Sequence, residues 1–159
     1  MVSDRFSILI DDLGKALKIK LAPDSNQACM IQFPDGIEVR IDPDTLGETI
    51  YIWSDLGPIP TAGKYRENVF REALKANGLP PPKLGIFGFN PKTESLLLCE
   101  QTTIYDLTAV RLAELIQSFA LKAKIWKEGI IRGDVPSFRA SEMSQSGSRG
   151  GGSGIFGLR

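Results

Sequence analysis

Between Asp4 and Lys18 the apolar side chains fall at Phe6, Leu9, Ile10, Leu13, Ala16 and Leu17. That is the three-four spacing of a helix with one buried stripe, and Ser3 is a natural N-cap for it. Pro23-Asp24-Ser25-Asn26 breaks the pattern. Ala28 to Phe33 and the strictly alternating Ile37-Glu38-Val39-Arg40-Ile41 then read as two strands. Pro34-Asp35-Gly36 makes them a hairpin, because proline presets one turn torsion and glycine permits a positive φ. Thr49-Ile50-Tyr51-Ile52-Trp53, rich in β-branched and aromatic residues, is a third strand. Lys64 to Asn77 is a second helix, with Val69, Phe70, Ala73 and Leu74 on one face; it stops at Gly78 before three prolines. Leu84–Phe89 and Ser95–Cys99 form a second hairpin around Asn90-Pro91-Lys92-Thr93. Asp106 is expected to cap the longest helix, running to about Ile131. Its seam of Ala109, Leu112, Ile116, Phe119, Ala123, Trp126 and Ile130 repeats at three-four spacing along its whole length. The order α-β-β-β-α-β-β-α predicts an α+β domain over residues 1–138 with an antiparallel, twisted sheet.

From about Arg139 the composition changes. Ser144 to Gly154 is almost wholly Ser and Gly, and it leads to the apolar Ile155-Phe156-Gly157-Leu158-Arg159. Residues 139–159 are therefore expected to be a flexible tail, ending either in a plain disordered terminus or in a short docking motif. The 159 residues, 42% hydrophobic and 24% charged, have the balance of a soluble globular protein. Nineteen basic residues cancel nineteen acidic ones, so net charge drives binding to neither nucleic acid nor an anionic membrane. Neither a signal-peptide layout nor an apolar run of membrane-spanning length occurs, so a cytoplasmic location without membrane insertion is expected.

Histidine is absent. This removes Ser-His-Asp and Cys-His catalysis, His-ligated zinc and histidine general bases together. Cys29 and Cys99 lack CxxC spacing and sit in apolar runs, which favours buried free thiols. Asp42-Pro43-Asp44-Thr45-Leu46-Gly47 opens like a calcium loop, but Leu46 and Trp53 occupy the positions of its fifth and twelfth ligands, so a strand-connecting turn is expected. Asp11 and Asp12 point to different sides of their helix, and Glu67 with Arg71 reads as an ordinary surface pair. Gly85-Ile86-Phe87-Gly88-Phe89 lacks the lysine and hydroxyl of a phosphate loop. The chain is expected to be no enzyme and to need no cofactor or metal.

An apolar surplus does stand out. Cys29, Ile31 and Phe33 oppose Met30 across one strand, and Ile50 and Ile52 oppose Tyr51 and Trp53 across another. The later hairpin repeats this, with Leu84 and Ile86 against Phe87 and Phe89, and Leu96 and Leu98 against Leu97. Either the three helices divide between the two faces of the sheet, or one face awaits a second copy or a peptide-like ligand.

Tyr65-Arg66-Glu67-Asn68-Val69-Phe70-Arg71-Glu72-Ala73-Leu74-Lys75-Ala76-Asn77 resembles the second helix of class I type III secretion chaperones, the Tir chaperone (CesT) family. Leu84–Phe89 with Ser95–Cys99 is similar to that family's following hairpin, and Leu112–Phe119 running on to Trp126-Lys127 to its last helix. The element order is the family's as well, over residues 3 to about 132. The resemblance implies a non-enzymatic homodimer of the bacterial cytosol. Such a protein holds the amino-terminal segment of one or more secreted effector proteins extended and delivers it to the secretion ATPase. It also implies a dimer interface at Val69, Phe70, Leu74, Ile86 and Phe87, and a cargo surface drawn from Ile8, Ile31, Phe33, Val39, Ile52 and Trp53. The alternative is a dimeric α+β adaptor that recognises a folded protein partner.

Overall fold

The expected first helix is α1 (Val2–Leu17), and Phe6, Leu9, Ile10 and Leu13 of its stripe are buried. The computed structural model describes residues 2–139, so the expectations for the tail from Ser144 to Arg159 lie outside the described residues. Because α1 already begins at Val2, Ser3 lies within the helix rather than at its cap. Five strands follow the expected order: β1 (Cys29–Gln32), β2 (Glu38–Pro43), β3 (Thr49–Pro58), β4 (Ile86–Asn90) and β5 (Ser95–Thr103). They form one antiparallel sheet, ordered β1-β2-β3-β5-β4.

The first turn forms as its residues dictate. Asp35 Oδ1 accepts the Ile37 N–H at 3.2 Å, and Gly36 takes the positive φ of 85° that a Cβ would oppose. The Asp42–Gly47 stretch is indeed a turn. Asp44 Oδ1 accepts the Glu48 N–H at 2.9 Å, and the Gly47 N–H donates to the Asp44 carbonyl.

α2 (Lys64–Asn77) and α3 (Ala109–Arg132) complete the domain. The cap of α3 is Thr108, whose hydroxyl accepts the Arg111 N–H at 3.2 Å; Asp106 lies two residues too early. The seam of α3 is buried from Leu112 to Ile130 and runs over β3, β2 and α1. All the buried apolar strand residues join the helices in one cluster, so the helices share one face of the sheet, and among the described residues the other face carries none. Expected pairs on the helices also differ in detail. Glu67 takes Lys64 at 3.2 Å and Arg71 donates to Asn68 at 3.0 Å, while Asp11 and Asp12 both hold Lys15 on the exposed side of α1.

One side chain of α2 covers the outer edge of β4 at Phe87. Asn77 Oδ1 accepts the Phe87 N–H at 2.7 Å, and its Nδ2 donates to the Phe87 carbonyl at 3.0 Å. The side chain thus stands in for a neighbouring strand. Asn77→Ala leaves two backbone groups unpaired and is expected to cost about 1–3 kcal/mol. A fall in the denaturant midpoint at unchanged slope will report it.

Candidate functional site

Among the described residues no three His, Cys, Asp or Glu side chains are placed to hold a metal ion, and no helix is long and apolar enough to cross a membrane. What remains is the uncovered face of the sheet. Register aligns Met30 with Arg40, Arg40 with Trp53, Trp53 with Cys99 and Cys99 with Ile86. These five side chains form one row across the whole sheet, flanked by Tyr51 and Leu97. Met30 is 46% exposed and Ile86 54%, a large apolar area to leave in water.

Trp53 is fixed within this row. Its Nε1–H donates to Asp42 Oδ2 at 2.6 Å, and Arg40 Nε reaches both Asp42 oxygens at 3.0 Å. The Arg40 guanidinium also lies 5.6 Å from the Trp53 ring centre. Asp42, a doubtful calcium ligand by sequence, instead anchors an aromatic side chain. Burial pushes up the thiol pKa of both free cysteines, Cys29 on the helix side and Cys99 in the row.

The β1 edge borders this row. The Phe33 N–H donates to the Ile37 carbonyl at 2.8 Å, which makes Phe33–Ile37, Ile31–Val39 and Cys29–Ile41 the hydrogen-bonded pairs. The N–H and C=O groups of Met30 and Gln32 therefore point away from β2, unpaired among the described residues.

The expected site residues scatter. Ile31, Val39 and Ile52 belong to the core under the helices, at 2%, 0% and 0% exposure, and offer no surface to a second molecule. Phe33 packs half-buried on that same side, while Ile8 is exposed on α1. Of the expected cargo residues Trp53 alone lies in the uncovered row, which it shares with Ile86 of the expected interface set. Of the expected interface residues, Val69 and Phe87 are core, Phe87 lying 4.1 Å ring to ring from Trp126. Phe70 meets Phe89 edge-on at 5.3 Å, and Leu74 and Ile86 face solvent. Met30, Tyr51 and Ile86 were absent from the expected cargo set, although their parity with Trp53 follows once the register is known.

The profile of the Tir chaperone protein (CesT) family matches residues 8–127, from mid-α1 through most of α3. The chain belongs to the Tir chaperone protein (CesT) family. No match is found among curated proteins. Among solved structures, the CesT-family fold seen here is similar to a chain of the HopA1–SchA chaperone–effector complex, with TM-score 0.65 and 15% identity over 79% of this chain and 95% of that one. It is also similar to a chain of the Yersinia pestis type III secretion chaperone SycH in complex with a fragment of YscM2, with TM-score 0.59 and 17% identity over 76% and 98%. A third likeness is to the ExoT–SpcS complex from Pseudomonas aeruginosa, with TM-score 0.57 and 13% identity over 76% and 96%. The α-β-β-β-α-β-β-α order expected from the sequence is thus a CesT-family fold, and the segment from Glu128 onward lies beyond the matched region.

Proposed function

We propose that this CesT-family chain is a type III secretion chaperone without catalytic activity, working as a homodimer in the bacterial cytosol. It keeps the amino-terminal segment of one or more effector proteins extended and hands it to the secretion ATPase. The observation that carries this reading is the uncovered row Met30–Arg40–Trp53–Cys99–Ile86 beside an unpaired β1 edge. An extended segment gains main-chain hydrogen bonds at such an edge and side-chain burial on such a face. Because the segment never folds, it stays ready for threading. Trp53 is the central anchor, with Met30, Tyr51 and Ile86 around it and Ile8 of α1 as a separate contact. Of the expected self-association residues, Leu74 is exposed and Phe70 half-buried, and these two are the contacts left for a second copy once Ile86 belongs to the cargo row.

The test is hydrogen exchange with and without the amino-terminal segment of the effector encoded beside this chain's gene. New protection on β1–β3 and α1 is expected, with the effector segment gaining protease resistance but no globular fold. Trp53→Lys is expected to weaken binding more than tenfold, since burying a large apolar group is worth ~1.5–3 kcal/mol and a rim ion pair rarely exceeds ~1. Binding that requires a folded partner, or that ignores Trp53→Lys, sinks the reading.

A further inference from the structure

Beside Trp53 the uncovered face opens into a depression of about 400 Å³, walled by Met30, Arg40 and Trp53, with Glu38, Asp55 and Lys127 among its charged members. Both signs of charge line it, so the apolar wall of Met30 and Trp53 is its distinguishing feature. Asp42 stands outside it. That residue pairs in register with Tyr51, two residues to one side of Trp53, whereas Asp55 lies two residues to the other. One side chain therefore has two neighbourhoods. The Trp53 Nε1–H is held by Asp42 Oδ2 at 2.6 Å, and the same residue lines the depression.

An indole on an open sheet face has several rotamers available to it. Here three side chains on two neighbouring strands close a triangle around one of them. Arg40 and Asp42 are two apart on β2 and so share a face, and Arg40 is in register with Trp53. Arg40 Nε donates to both Asp42 oxygens at 3.0 Å, which keeps the carboxylate from turning. The Arg40 guanidinium lies over the indole, 5.6 Å from its centre, while Asp42 holds the ring by its N–H edge. That hydrogen bond is charge-assisted and so stronger than one to a neutral acceptor.

Folding gains little from this arrangement. The Arg40 and Asp42 side chains keep 32% and 28% of their surface in water, and ion pairs that exposed contribute little. What the triangle does supply is a bulky apolar side chain ordered before anything binds. Ordering such a side chain during association otherwise subtracts from affinity.

We infer that Asp42 is a positioning residue for binding at this face: it acts through Trp53, holding the indole in the rotamer that walls the depression, with Arg40 locking the carboxylate. The holding of Trp53 stands on its own geometry; its consequence for an effector segment rests on the function proposed above.

The chain has two tryptophans, so the indole N–H spectrum of the full-length protein reads Trp53 against the buried Trp126 as an internal control. Asp42→Leu removes the acceptor while adding apolar surface to the face. It is expected to speed solvent exchange of the Trp53 indole N–H severalfold, with Trp126 unchanged. It should also weaken binding of the amino-terminal segment of the effector encoded beside this chain's gene roughly three- to tenfold. A face that works by apolar area alone would bind that variant more tightly, so the two accounts differ in sign. Asp42→Asn keeps an oxygen for the indole and should recover most of the loss, and Asp42→Ala reads the same loss should leucine disturb β2. In a Trp53→Phe background Asp42→Leu is expected to weaken binding no further, whereas a merely structural role would weaken both backgrounds alike. Unchanged Trp53 exchange in Asp42→Leu overturns the inference. So does undiminished binding, or an equal loss in the Trp53→Phe background. A wild-type chain that binds no effector segment counts against the chaperone reading alone, and Trp53 exchange then still decides whether Asp42 holds the ring.

Discussion

Ile52→Lys is expected to unfold the domain, although Trp53→Lys one residue later should leave it folded. Ile52 has no exposed surface and lies in the central strand under α3, so a lysine there forces an ammonium into the core. An unpaired buried charge costs several kcal/mol, on top of ~2 kcal/mol of lost apolar burial. Total stabilities run to only about 5–15 kcal/mol. Trp53 sits in the uncovered row, where a lysine head stays in water beside Asp42, its former hydrogen-bond partner. Circular dichroism and thermal melts of the two variants decide the matter. Similar melts for both would mean that the two faces of β3 are not distinguished as described.

If the chain forms the homodimer proposed above, of roughly 35 kDa, Leu74→Asp is expected to turn it into a folded monomer. Leu74 is 69% exposed on α2, so the substitution removes nothing from the chain's own core. At a two-fold interface each copy loses about 2 kcal/mol of apolar burial, and the two new carboxylates approach each other. Self-association should weaken roughly a hundredfold or more. Light scattering across a dilution series measures it. A wild-type chain that is already a stable monomer at micromolar concentration ends the homodimer reading.

Periodicity made the helices legible because each has a single buried stripe; the seam of α3 was readable residue by residue from Leu112 to Ile130. Strand ends were less so. β3 continues through Ser54-Asp55-Leu56-Gly57-Pro58, with an irregularity between Asp55 and Gly57, and β5 through the polar Glu100-Gln101-Thr102-Thr103. Those stretches have little strand preference of their own and are held by the more apolar halves of the opposite strand, Ser54–Pro58 by Ser95–Leu98 and Glu100–Thr103 by Thr49–Ile52, a long-range fact that local pattern does not contain. The expected cargo set mixes the two faces of the sheet for a related reason. Ile52 and Trp53 are adjacent in a strand and cannot serve one surface, so alternation alone forbids grouping them. Which of the two faces is covered depends on where α1 and α3 pack, and only that packing removes Ile31 and Val39 while bringing forward Met30 and Ile86.

The two borders of the sheet are unequal, and this bears on solubility. An open sheet whose ends both offer free backbone groups invites copies to stack β1 against β4, a head-to-tail contact that never closes and grows into fibres. Asn77 occupies the Phe87 peptide groups at the β4 end, so a strand adding there has to displace a side chain first. The free end at β1 can then accept a foreign strand without the molecule becoming a template for its own polymerisation.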